Sequence, residues 1–168
     1  MTDPKKRLIQ WLRDAHAMEE QAETILKGHL DRVKHYPEFE ARVREHLEET
    51  RAQAQTVRGC LETLGESPSS LKDTGSKVLA KGQAISGVFA DDEIMNWALA
   101  SYSFESLEIA SYTVLVAAAE EAGESDIAKA CRDILKQEEE MAGWVKDNLV
   151  PLTEAYLARA SAGLQASR

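Results

Sequence analysis

Apolar residues recur at Leu8, Trp11, Leu12, Ala15, Met18, Ala22, Ile25, Leu26, Leu30 and Val33. Spacings of three and four residues put them on one face of a helix, which predicts a first element over about 4–35. Asp3 suits its N-cap, and Pro4 suits the first helical position, where no intrahelical partner awaits the missing N–H. A second stripe, Phe39, Val43, Leu47, Thr50, Ala54, Val57, Leu61 and Leu64, predicts a helix over about 38–64 that starts after Pro37 and stops at Gly65. The short connection requires the two helices to lie antiparallel.

Periodicity then lapses. Pro68, Ser69, Ser70, Gly75, Gly82 and Gly87 punctuate residues 66–90, which predicts a crossover holding one short irregular helix. A third helix follows over about 91–122, ended by Gly123, and a fourth over about 125–148 with Ser125 suited to its cap. In the fourth, Ile127, Ala130, Cys131, Ile134, Leu135, Met141, Ala142 and Val145 face inward. Pro151 predicts a break and a short helix over about 151–160, with a frayed end beyond it. The expectation is one all-α domain over residues 1–168, an antiparallel four-helix bundle with a crossover helix and a short C-terminal helix. Two helical hairpins joined by a crossover is ferritin-like wiring, distinct from the simple up-and-down bundle.

Composition narrows the function classes. The 168 residues carry 29 acidic and 20 basic side chains, a formal net charge of −9. A sequence-independent grip on nucleic acid relies on lysine and arginine neutralising phosphates, so nucleic acid is not an expected partner. The longest uncharged run, Ile109 to Ala119, is 11 residues, short of the roughly 20 needed to span a bilayer. Arg13 and Asp14 arrive too soon for a signal-peptide core. Cys60 and Cys131 lack CxxC spacing and read as buried small hydrophobes. A cytoplasmic protein is expected, with no membrane partner. No Gly-rich phosphate loop, Ser-His-Asp arrangement or long repeat stands out.

The candidate chemistry lies in acids placed where apolar residues belong. From Asn96 to Ala119 the only charged residues are Glu105 and Glu108. They stand one turn apart, in line with Ala98, Ser101, Ile109 and Tyr112, so a regular helix aims both inward. Glu19 lines up with Leu12, Ala15, Ala22 and Leu26, whereas Glu20 faces out. Glu138 lies within the stripe between Ile134 and Met141, and Glu140 faces away. On the second helix His46 and Gln53 fall near the apolar arc, Glu49 at its edge and Glu48 opposite. A buried unpaired carboxylate protonates or finds a cation. Inward glutamates from four helices are how carboxylate bundles hold two divalent ions, and hard oxygen donors suit iron or manganese.

Several stretches carry a family resemblance: Asp14-Ala15-His16-Ala17-Met18-Glu19-Glu20-Gln21-Ala22, His46-Leu47-Glu48-Glu49-Thr50 with Gln53, Lys72-Asp73, Glu105-x-x-Glu108-Ile109-Ala110-Ser111-Tyr112, and Glu138-x-x-Met141-Ala142-x-Trp144. Over most of the chain they resemble bacterial stress proteins of the YciE/YciF type. The resemblance implies a fold shared with rubrerythrins and ferritins, a homodimer, and Glu19, Glu49, Glu105, Glu108 and Glu138 as metal ligands. The rubrerythrin-like E-x-x-H pattern would add histidines, but Ala52 and Met141 stand at those places. His46, one turn before Glu49, offers a nitrogen from the other direction. The implied function is a stress-response protein whose two metals, iron or manganese, react with dioxygen or peroxide. The competing reading is a non-catalytic dimeric interaction or protective bundle with a vestigial metal site. Trp11, Trp97 and Trp144 read as core or dimer contacts, and His16, His29 and His35 as solvated. Tyr112 either donates to a metal-bound oxygen or packs in the core.

Overall fold

Local chemistry sets the helix ends. The Asp3 carboxylate accepts a 3.0 Å hydrogen bond from the Lys5 N–H, capping a helix whose first residue is Pro4. The computed structural model describes residues 3–30, 33–66 and 92–166. Among them are four helices and no strand: α1 (Pro4–Leu30), α2 (Pro37–Thr63), α3 (Glu93–Glu121) and α4 (Ser125–Ser161). Gly65 and Gly123 end α2 and α3 in the left-handed region, at φ +88° and +75°. There the Glu66 and Glu124 N–H groups reach back to the Leu61 and Ala119 carbonyls, at 3.0 and 2.9 Å, satisfying acceptors that a helix end leaves open.

Two boundaries depart from the sequence expectation. The first helix, described to Leu30, does not reach residue 35, because Val33 to Tyr36 form a turn closed by a 2.9 Å bond from the Tyr36 N–H to the Val33 carbonyl. Val33 continues the apolar stripe because it is buried from that turn. The expected break at Pro151 does not occur, and α4 runs through it to Ser161. The amide that Pro151 lacks would have paired with the Asp147 carbonyl, and both residues are exposed, so water can serve that acceptor. Leu152, next in line, is buried with Val33, Phe39 and Trp97, which holds the following turn to the bundle. Ser125 is the first helical residue rather than the cap, which is Glu124. The expected crossover over 66–90 lies outside the described residues apart from Glu66.

Chain direction follows from which residues share a core. Leu8 and Leu12 of α1 pack with Leu61 of α2, Ala119 of α3 and Ile127 of α4 at one end. At the other end Leu26 packs with Phe39, Ile94 and Leu152. Hence α1 is antiparallel to α2 and α3, α4 is antiparallel to the same two, and α2 and α3 run in the same direction. The end of α2 and the start of α3 therefore lie at opposite ends of the bundle, the relation that distinguishes crossover wiring from an up-and-down bundle. The two apolar clusters leave a middle layer of buried polar side chains: Glu19, His46, Thr50, Gln53, Ser101, Glu105, Glu108 and Glu138. Among the described residues no helix is long and apolar enough to cross a membrane.

Candidate metal centre

Each helix feeds this middle layer from its buried stripe. On α3 the buried positions Ile94, Trp97, Ala98, Ser101, Glu105, Glu108, Tyr112, Leu115 and Ala119 keep three- and four-residue steps almost throughout. Glu105 and Glu108 thus occupy core positions by helical geometry alone. The relative exposures are 0% for Glu19, 1% for His46, 3% for Glu105, 1% for Glu108 and 0% for Glu138. Glu20, Glu48 and Glu140, next to inward residues, have side chains that are 59%, 67% and 60% exposed.

Ligand-type atoms of His46, Glu105, Glu108 and Glu138 all lie within 4.8 Å of one another. His46 Nε2 stands 3.4 Å from Glu105 Oε2 and 3.8 Å from Glu138 Oε2. On the far side of the ring, His46 Nδ1 is 2.9 Å from Glu49 Oε2. Arg42 donates to the same Glu49 oxygen at 3.1 Å. Glu49, with its side chain 24% exposed, thus grips the outer edge of the imidazole. Glu19 is reached by the Tyr112 hydroxyl, which donates to its Oε1. Gln53 donates from Nε2 to Glu138 Oε1 and to Gln137 Oε1.

Several acceptors in this layer stay unsatisfied. Glu19 Oε2, Glu105 Oε2, Glu108 Oε1 and Glu138 Oε2 are buried without a hydrogen-bond partner. Leaving such an acceptor bare costs about 1–3 kcal/mol, and more when it is charged. Protons are one remedy. Burial, reinforced by the neighbouring carboxylates of Glu19, Glu138 and Glu105, pushes the Glu108 carboxyl well above its ordinary range. Burial and Glu105 likewise raise Glu138 to about 9. Burial also raises Glu19, to about 7, against the pull of the Tyr112 hydrogen bond and of His46. For His46 burial works downward, but Glu105, Glu49 and Glu138 outweigh it and hold the ring protonated up to about 10. Cations are the other remedy. Orphaned, buried carboxylate oxygens plus one imidazole nitrogen form a donor set that could hold a divalent metal ion.

Sequence reasoning did not single out Arg42, although its seven-residue step to Glu49 places both on one side of α2. His16, expected in solvent, is buried, and burial lowers its pKa. Trp97 is core, Trp144 packs edge-on against Phe39 at 4.8 Å between centroids, and Trp11 is partly exposed. Cys60 and Cys131 are free and buried.

A family model described as a domain of unknown function, DUF892, matches residues 3–158. The chain belongs to the DUF892 family. A crystal structure of a protein from Xanthomonas campestris pv. campestris shares 39% identity over 94% of this chain and 99% of its own, with a TM-score of 0.79. The crystal structure of the E. coli stress protein YciF matches at 22% identity over 89% of this chain and 96% of its own, with a TM-score of 0.69. The YciF match is one of fold, and the DUF892 bundle is thus shared by a bacterial stress protein, as the sequence resemblance implied.

Proposed function

We propose that this DUF892 protein is a ferritin-like stress-response protein that holds two divalent metal ions, iron or manganese, in the middle layer of its bundle. The observation that carries the reading is the convergence of His46, Glu105, Glu108 and Glu138 within 4.8 Å, with buried carboxylate oxygens that nothing in the described chain satisfies. Those four side chains would hold metal, Glu19 would join through its unpaired Oε2, and Glu49 would either ligate or fix the ring of His46. About five carboxylate charges against about four from two divalent cations leave a nearly neutral interior. Bound iron or manganese supplies redox chemistry towards dioxygen or peroxide. The chain's own residues position that chemistry. Glu49 and Arg42 orient the imidazole, a support that sharpens metal affinity in proteins generally, and Tyr112 holds Glu19. The protein works in the cytoplasm as a homodimer.

The test is metal content after expression in iron- or manganese-supplemented cells. About two ions per chain are expected, falling in Glu108→Ala and unchanged in Glu140→Ala. Equal content in both variants refutes the site. A second reading is a vestigial centre: with the His46, Glu108 and Glu138 pKa values raised, protons can neutralise the cluster without metal. A chain that takes up no metal yet melts cooperatively would support that reading, a non-catalytic dimeric bundle.

A further inference from the structure

A file of charged side chains leads from solvent to the metal centre along α2. Glu45, His46 and Glu49 follow Arg42 by three, four and seven residues, so all four share one side of the helix. Side-chain exposure drops inward, from 66% at Glu45 to 24% at Glu49, and then to 1% at His46 and 4% at Glu105. The Arg42 guanidinium closes the outer end: its Nη1 stands 3.1 Å from both Glu45 Oε2 and Glu49 Oε2, and its side chain is 12% exposed. Glu49 Oε2 is in turn 2.9 Å from His46 Nδ1, and the same ring turns Nε2 to Glu105 at 3.4 Å. Deeper still, Glu108 Oε1 is buried without a hydrogen-bond partner. A groove between α1 and α3 also reaches His46 and Glu105, but Trp11, Ile25, Leu107 and Val114 line its exposed part.

We propose that divalent cations reach the metal centre through this file, past Glu45 and Glu49, and that Arg42 is the gate they displace. The inference rests on the metal-binding function proposed above and adds how that site fills. A cation entering the bundle gives up water, which is costly against apolar walls. Glu45 and Glu49, one turn apart, offer hard oxygens in place of that water. Both acids already share the Arg42 guanidinium, a tethered cation that holds the place an arriving ion would take. Like charges repel there, so Arg42 has to swing away before Glu49 is free to accept the ion. Entry and exit along one path cross the same barrier, which makes Arg42 a brake on both.

The probe is Mn(II), mixed rapidly with the metal-free full chain. Loss of the free-ion EPR signal reads uptake, and extraction of the loaded protein by EDTA reads exit. Arg42→Leu should speed uptake and extraction alike, by about ten-fold or more, with Mn(II) content at saturation unchanged. Glu45→Lys should slow uptake by about ten-fold or more, and more at low salt than at high. Glu45 is exposed, so this variant remains informative if Arg42→Leu misfolds. Glu140→Lys makes the same charge change on the exposed side of α4 and should leave both rates unchanged. Ala110→Trp, which narrows the groove from an exposed position on α3, should also leave them unchanged. Uptake indifferent to both Arg42 and Glu45 overturns the proposal, as does slowing by Glu140→Lys or Ala110→Trp that equals that of Glu45→Lys. Faster extraction without faster uptake in Arg42→Leu overturns it too, because Arg42 would then only support His46. If Mn(II) still loads in these cases, the metal centre stands and this route fails. A wild-type chain that takes up no Mn(II) overturns both.

Discussion

The Tyr112 hydroxyl of α3 donates to the Glu19 carboxylate of α1, both side chains fully buried. Burial and the adjacent Glu19 and Glu108 carboxylates hold the phenol well above its ordinary pKa, so it stays a donor. Tyr112→Phe should destabilise the chelated protein by about 1–3 kcal/mol, because Glu19 Oε1 joins Oε2 as an unsatisfied acceptor. In a Glu19→Leu background, where no acceptor remains, the same substitution should cost much less. Thermal melts of the four proteins measure the coupling, and additive effects would show that the bond contributes nothing.

Stability of the metal-free protein should fall as pH rises from about 6.5 to 9. His46 goes from 6.5 unfolded to about 10 folded, and Glu138 from 4.5 to about 9. Both folded values are raised, so each contribution is fully present below the unfolded pKa and is lost as pH climbs through the folded one. Glu49 acts oppositely: its pKa is lowered, first by His46, and its contribution is lost only as pH falls below the ordinary carboxylate range. Melts in chelator across pH 6 to 9 check the slope, and a rising Tm would contradict it. Mn(II) should raise Tm more at high pH, since its ligands bind deprotonated.

Glu108→Gln removes the acid that is most enclosed by other acids. In chelator at pH 8 its Tm should rise by about 2–4 °C, the shift of a roughly 1 kcal/mol gain in a chain of this size. With Mn(II) the order should invert, because wild type gains more from binding to the folded state. A lower Tm in chelator together with an unchanged Mn(II) shift would make Glu108 a structural hydrogen-bonding residue.

Pro151 sits inside α4 on its exposed side. Pro151→Ala should restore the amide to Asp147 and stabilise the protein by on the order of 2–3 kcal/mol, the gap between proline and alanine in a helix interior. An unchanged or lower Tm would show that the chain path set by proline is needed to seat Leu152 and the Tyr156 bond to Asp92.

The four long helices, their inward faces and the candidate acids were legible in the sequence because a helix repeats every 3.6 residues whatever surrounds it. Two glutamates in the otherwise uncharged middle of α3 and one each on the stripes of α1 and α4 are facts of that local period, as are the stops at Gly65 and Gly123. Which atoms meet is not local. It depends on the register between helices and on the rotamers of long side chains. Only the tertiary structure turned Glu49 to the outer nitrogen of His46 and Arg42, and His46 Nε2 to Glu105 and Glu138. It paired the Tyr112 hydroxyl with the Glu19 carboxylate across two helices. It carried α4 through Pro151 because packing around Leu152 outweighs a local helix-breaking signal. And it left a groove between α1 and α3, since the space between two helices is set by the side chains of both.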